Sequence, residues 1–372
     1  IRSGFGIYYT STAYNELQFL MANPPNFLSQ ALSFSPFTPT PMSSIFPSFA
    51  PGSTIFAPFA VEQHNPTPYL EQWNFDVQRT LSKDILIDVG YVGNQGHHLS
   101  VRLNPNQAAP ENPLNPTPIQ SRRPYPAIGD ILAQYDLGNS NYNALQASIR
   151  KTFSKGLSFQ ASYTWSRAFD LLSTDGGEMI NGLDPKLNYG PSDFSRPQVL
   201  TLSYTYELPF GPGKSIYNRS NWIAKYLVGG WQVNGVTTFG SGLPFMLFAQ
   251  DFSNTGSNHE FVPTRLCNGA LSNPTVFQWF NTSCFAQPAP GFLGNAGRNI
   301  LSQGKENNWD FSLFKDFRFT ESKSLQIRGE FFNLFNQHSF VNPDVTVGDP
   351  QFGQMLSATS PRVVQLALKF YF

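Results

Sequence analysis

Five histidines and two cysteines are the residues of this 372-residue chain best suited to metal binding or nucleophilic chemistry. His97 and His98 form the only histidine cluster, yet successive residues of a strand point to opposite faces, which is poor geometry for a shared metal. A polar rim is the plainer reading of the pair. His64, His259 and His338 stand alone. Cys267 and Cys284 lie in one polar Gly/Pro/Asn-rich stretch without CxxC spacing. That pattern favours a loop-stapling disulfide in an oxidising compartment over a metal site, with free thiols as the other option. Glu178, Asp184 and Asp193 fall in a long connection with no defined partner. No GxSxG, HExxH, phosphate-loop or nucleotide fingerprint occurs, so neither an enzyme nor a bound cofactor is expected.

A denser set of charges lies towards the C-terminus. Asp310, Ser312, Asp316 and Arg318 share one parity, as do Gln326, Arg328 and Glu330 further on. On two neighbouring strands these residues would put opposite charges on one face, where cross-strand ion pairs could line an interior or contact something inside it. Charge-balanced wall structure is the plainer alternative. Trp309, Phe311, Leu313 and Phe317 occupy the opposite parity. Lys315 shares that apolar face, where a cation at mid-bilayer would cost roughly 2–4 kcal/mol; its closeness to a turn would let it snorkel to the interface. Phe314, Phe332 and Leu334 fall on the polar face, which implies a bulge or packing against something inside.

The elements that would position these residues are strands. Ten segments alternate with period two: Arg2 to Thr10, Leu70 to Leu81, Asp84 to Leu103, Tyr142 to Phe153, Leu157 to Phe169, Gln198 to Leu208, Gly230 to Gly240, Asn308 to Thr320, Ser324 to Asn336 and Pro361 to Phe372. Most have the ~10 residues a tilted strand needs to cross a bilayer. Their connections alternate in length. Tight turns follow strands two, four and eight, and long segments follow strands one, three, five, seven and nine, the asymmetry of outer-membrane barrels with short periplasmic turns and long extracellular loops. Pro209 to Gly229 breaks the brevity of the short side. Its Asn221 to Val228 could form a short amphipathic helix at the inner interface, with Trp222 and Tyr226 in the headgroup belt, or remain a plain extended turn. The first long connection interleaves Pro24, Pro25, Pro36, Pro39, Pro41, Pro47, Pro51, Pro58, Pro66 and Pro68 with Phe27, Phe34, Phe37, Phe46, Phe49, Phe56 and Phe59, which rules out regular helix or central strand there. These residues either pack the loop onto its neighbours or fold over a barrel mouth as ligand contacts.

Composition points the same way. Charged residues make up 13% and aromatics 15%, with 35 Phe, while mean hydropathy is slightly negative. Apolar residues must therefore alternate with neutral polar ones. No window approaches the ~18 consecutive apolar residues of a membrane helix, so any crossing is by strands in a closed barrel. A net charge of zero gives no footprint for nucleic acid.

The chain ends in RVVQLALKFYF, with Val364, Leu366, Leu368, Phe370 and Phe372 on one face. This is similar to the closing strand of bacterial outer-membrane barrels, whose terminal aromatic signal is read by the barrel-insertion machinery. The runs YLEQWNFDVQRTLSKDILIDVGYVGNQGHHL, NYNALQASIRKTFSKGLSFQASYTWSRAFD, GWQVNGVTTFGSGLPF and FFNLFNQHSF resemble the barrel region of Oar-like TonB-dependent receptors, as does GFLGNAGRNILSQGKENNWDFSLFKDF. In the last of these, Ser302-Gln303-Gly304 stands where the family has Gly-Pro-Gly.

The resemblance implies an all-β, antiparallel transmembrane barrel of roughly 22 strands with a plug in its lumen, in the bacterial cell outer membrane. It also implies uptake of an extracellular substrate powered by the inner-membrane TonB complex. Residues 1–372 would then be the C-terminal part of the barrel, about ten strands. Plug, TonB box and the first strands would lie upstream, the opening IRSGFGIYYT having neither an initiator Met nor a signal peptide. A structural or adhesive barrel without active transport is the competing expectation, and a passive porin the third. Partners expected are outer-membrane lipid, the insertion machinery and, through the upstream region, TonB.

Overall fold

Ten strands hydrogen-bond in sequence order in the computed structural model, which describes residues 1–10, 18–24, 56–174, 179–182, 184–256 and 261–372. They are β1 (Arg2–Tyr9), β2 (Tyr69–Ser82), β3 (Ile85–Leu103), β4 (Leu132–Ser154), β5 (Leu157–Asp170), β6 (Gln198–Glu207), β7 (Trp231–Gly240), β8 (Glu306–Arg318), β9 (Ser324–Phe332) and β10 (Val363–Tyr371). Every neighbour pair along this path is antiparallel, and the sheet is open, with β1 and β10 as its edges. Among the described residues no helix is long and apolar enough to cross a membrane.

Register carries the period-two pattern across the whole sheet. Phe159, Tyr204, Gly235, Phe311, Phe331 and Val364 align in one row. In the adjacent row on the opposite face run Ser158, Thr205, Asn234, Ser312, Glu330 and Gln365. A slip of one residue at any strand would exchange the two faces, so the alternation itself locks the register. The apolar face stays uncovered, with Phe75, Val77, Leu145, Trp165, Leu366 and Leu368 all exposed. An uncovered apolar surface of this extent belongs against lipid or another protein.

The short side is built from tight turns. Lys155 (φ 49°) and Gly156 (φ 82°) join β4 to β5, both in the left-handed conformation that a two-residue hairpin loop requires. The longer Pro209–Gly229 connection contains one helical turn, Ile223–Val228, in which the Gly229 N–H donates to the Ala224 carbonyl five residues back. Asn221 caps it by accepting from the Ala224 N–H at 2.8 Å.

Two boundaries differ from the sequence expectation. β4 begins at Leu132 rather than near Tyr142, because β3 overshoots and pairs with it up to Leu103 opposite Ala133. The Gly and Asn residues of 132–141 hide the alternation there. β9 stops at Phe332, because Asn333 turns into the left-handed region (φ 53°). Leu334 is therefore off the strand, donating its N–H to the Trp309 carbonyl at 2.7 Å, which accounts for its wrong parity.

Candidate functional site: the outer loop layer and the polar face

The long connections converge on one side and interlock. The 241–305 connection folds into short antiparallel ribbons: Pro244–Phe245 with Leu301–Ser302, Thr264–Arg265 with Phe285–Ala286, and Ala270–Thr275 with Gln278–Phe280. Phe245, Leu247, Phe280, Cys284, Phe285 and Leu301 bury one another between them, joined by Val347 from the β9–β10 connection. Cys267 and Cys284 are bonded to each other there, with Cα atoms 4.9 Å apart. The Phe248 N–H donates to the Val345 carbonyl and the Val347 N–H donates to the Phe248 carbonyl, both at 2.9 Å, which ties the two connections together.

Arg298 is the strongest polar tie. Its guanidinium, 5% exposed, donates to the buried Asp170 carboxylate at the outer end of β5, to the Asp170 and Pro191 carbonyls at 3.2 Å, and to Ser173 Oγ at 3.2 Å. Asp193 accepts from Arg298 at 3.4 Å and from Asn299 Nδ2 at 2.6 Å. The backbone must pass close by: a Cβ at Gly190 would lie 2.5 Å from the Arg298 carbonyl oxygen, so only glycine fits. A second network orders the 104–131 connection. Asn106 Nδ2 donates to the Tyr125, Ile128 and Gly129 carbonyls, and Arg123 donates to the Asn106 carbonyl and the Asp130 carboxylate at 2.7 and 2.6 Å. Sequence inspection missed both networks. The available signal was Arg298 as the lone charge between Gly291 and Gly304.

The other expected residues are placed as follows. His97 and His98 do not alternate: the β3–β4 register shifts between Gly96 and Leu99, His98 has φ 56°, and both rings come to lie by Tyr69, at 4.8 and 5.8 Å. The bulge corrects the premise that they face apart. Among the described residues no group of three His, Cys, Asp or Glu could hold a metal. Asp184 caps a short helical turn by accepting from the Lys186 N–H at 3.2 Å. Glu178, His259 and most of the Pro/Phe-rich first connection lie outside the described residues. In the described part of that connection, Phe19 stacks on Phe59 and carries the Arg102 guanidinium at 4.9 Å, so it packs onto the raised end of β3.

Asp310 and Asp316 on β8 and Arg328 and Glu330 on β9 share the polar face, opposite other partners (Glu330 faces Ser312, Arg328 faces Phe314 and Asp316 faces Gln326), and Arg318 ends β8. They do not pair directly. Gln326 intervenes, donating to Asp316 at 2.8 Å while accepting from Arg328 Nε. Phe314, one of the apolar exceptions, is a platform for Arg328, whose guanidinium carbon sits 4.5 Å from the ring centre. Asp310 accepts from the Asn333 N–H at 3.0 Å. Lys315 does not snorkel along an open surface. It is buried beneath the inner connection, donating to the Gly229 carbonyl with the Trp231 and Phe317 rings at 5.2 and 5.1 Å. The terminal Phe372 stacks on Phe370 at 6.0 Å, and with Leu368, Leu366 and Val364 it is exposed. At the inner turns, hydrogen bonds from Lys151, Ser154 and Ser82 hold the Asp84 carboxyl well below the usual carboxylate range.

Concavities large enough for a ligand occur both on the polar face and in the loop layer. A groove of about 770 Å³ runs along the polar face past Arg150, Gln160, Asn234 and Asp310. A cavity of about 820 Å³ lies in the loop layer, between the lobe and the rims of the strands.

A family model described as "Outer membrane beta barrel domain" matches residues 1–365. No curated protein matches the chain. Among solved structures, the outer membrane transporter YddB from Escherichia coli is similar at 11% identity and TM-score 0.48, over 85% of this chain and 34% of that one. The siderophore receptor PiuA from Acinetobacter baumannii matches at 10% identity and TM-score 0.41, over 82% of this chain and 28% of that one. The pyoverdine receptor FpvA from Pseudomonas aeruginosa PAO1 gives 14% and 0.38, over 82% and 30%. The chain thus spans about a third of the length of these proteins.

Proposed function

Because the chain belongs to the outer membrane β-barrel domain family, a protein of the bacterial outer membrane, we propose that it forms the C-terminal part of an Oar-like TonB-dependent transporter. In this reading the outer loop layer captures an extracellular substrate. The polar face, with Asp310, Asp316, Arg318, Arg328 and Glu330, lines the lumen, and TonB acts through a plug encoded upstream. The observation that carries the reading is a two-faced sheet whose main path of ten strands leaves both edges unpaired, topped by one interlocked layer of loops. An open sheet of this kind leaves hydrogen-bonding groups of β1 and β10 without partners in a membrane that cannot hydrate them. Further strands between those edges remove that cost. Arg328, held by Gln326 and Phe314, and the row Ser158 to Gln365 supply the water-compatible surface that a lumen needs.

The complete reading frame, expressed in the outer membrane, tests the proposal by in-cell crosslinking between its N-terminal region and TonB. A plug, a TonB box and a crosslink lost when the box is deleted are the expected result. Strong surface binding with no plug and no crosslink would instead identify an adhesive barrel.

A further inference from the structure

The cavity in the loop layer has a lining of distinct chemistry. Trp279 forms part of its wall, and Ser195, Ser272, Ser302, Gln303 and Lys305 are among the other residues that line it. The indole is held in place: its N–H donates to the Ser302 carbonyl at 2.8 Å and its ring meets Phe340 at 6.2 Å, 63° from parallel. Among the described residues no carboxylate lines the cavity, and the two acids beside lining residues are already engaged, Glu306 by Arg196 and Asp193 by Arg298 and Asn299. Lys305 is exposed, with no ion pair among the described residues. The walls are braced from behind, since Phe280 packs in the cluster that holds Cys284 and Asn299 follows the clamped Arg298, which lowers the ordering cost of binding. The volume of about 820 Å³ falls within the roughly 300–1,000 Å³ of pockets that take compact organic ligands.

Resting on the reading of the loop layer as a capture surface, we propose that this cavity binds a short acidic oligosaccharide. A fixed indole offers a flat apolar surface to the C–H face of a sugar ring. Hydroxyls and an amide match ring hydroxyls that both donate and accept, a pairing that penalises ligands lacking them. Lys305 answers a sugar carboxylate, and the absence of lining carboxylates removes the repulsion such a ligand would meet.

The full-length protein in nanodiscs is tested on an array of neutral and acidic oligosaccharides, followed by calorimetry with trigalacturonate and galactotriose. Trigalacturonate is expected to bind, with Lys305→Gln weakening it about tenfold, the worth of one hydrogen bond to a charged group. Galactotriose should change less than about twofold in the same variant, and Gln303→Ala should weaken both sugars. Heat-modifiable migration on gels verifies that each variant is folded. No bound glycan on the array, or equal affinities in the folded wild type and both variants, would overturn the proposal. Glycan binding without energised uptake keeps this site and removes the transport reading; energised uptake of another ligand class without glycan binding does the reverse.

Discussion

The sheet and the loop layer are held together by opposite means. In the sheet, side chains are divided by parity, the apolar ones remain exposed, and the strands hold one another through backbone hydrogen bonds. The loop layer is a small globular protein built on top. It has a buried aromatic core, a disulfide, and an arginine clamp whose charges are out of water. One region is specified by a repeating pattern that tolerates many residues at each position. The other depends on particular residues meeting at particular points.

That contrast predicts which substitutions each region tolerates. The largest effect is expected at Arg298→Ala, which strands the buried Asp170 charge and should cost the loop layer about 3–5 kcal/mol. Hydrogen exchange should rise across 241–305 while strand pairing in β5 to β8 is retained; melting of the strands as well would erase the distinction. In the sheet, neighbours should behave oppositely. Leu202→Arg on the apolar face should cost roughly 2–4 kcal/mol in urea titrations of the membrane-embedded full-length protein, and Ser203→Arg on the polar face close to none. Equal penalties would mean that the two faces are misassigned. Reducing Cys267–Cys284 releases a crosslink of sequence separation 17, worth about 3 kcal/mol for a loop near that length. Proteolytic nicking should then begin in the lobe, with the sheet left protected.

The smallest effect is at the inner turns. The Asp84 carboxyl is held below its ordinary range by Lys151, Ser154 and Ser82, so its contribution is present above the unfolded value of about 3.9. It is lost only as pH falls through the lower folded value. Carboxyl NMR should find Asp84 still ionised at pH 3, and Lys151→Met should raise its titration towards ordinary aspartate. An Asp84 that titrates normally in the wild type would show the turn network to be absent in solution.

The same division decided what could be read from sequence. All ten strands were legible because Trp73, Phe75 and Val77 against Asn74, Asp76 and Gln78, and similar sets, repeat one simple rule. Short and long connections were legible from spacing alone. The raised end of β4 was not, since Gly138 and the Asn residues of 132–141 interrupt alternation, and neither was the facing of His98, which turns left-handed at the register shift between Gly96 and Leu99. Arg298 was invisible for a different reason. Its partners Asp170 and Asp193 lie more than a hundred residues away, and no local pattern records a contact made by folding.

The row of β7 against β8 has a consequence for how the molecule is built. Every other pairing except β1 with β2 joins strands separated by far shorter connections, so the sheet can extend by adding neighbouring hairpins. Gly240 opposite Glu306 closes the chain from 241 to 305. The entropy of that closure grows only slowly with length, about 0.6 kcal/mol per doubling, but the enclosed segment carries its own core and crosslink. Assembly at this seam therefore brings a traffic problem with it: a lobe that ends on the far side of the membrane must cross while still loose, or wait for a gap wide enough to pass it already folded.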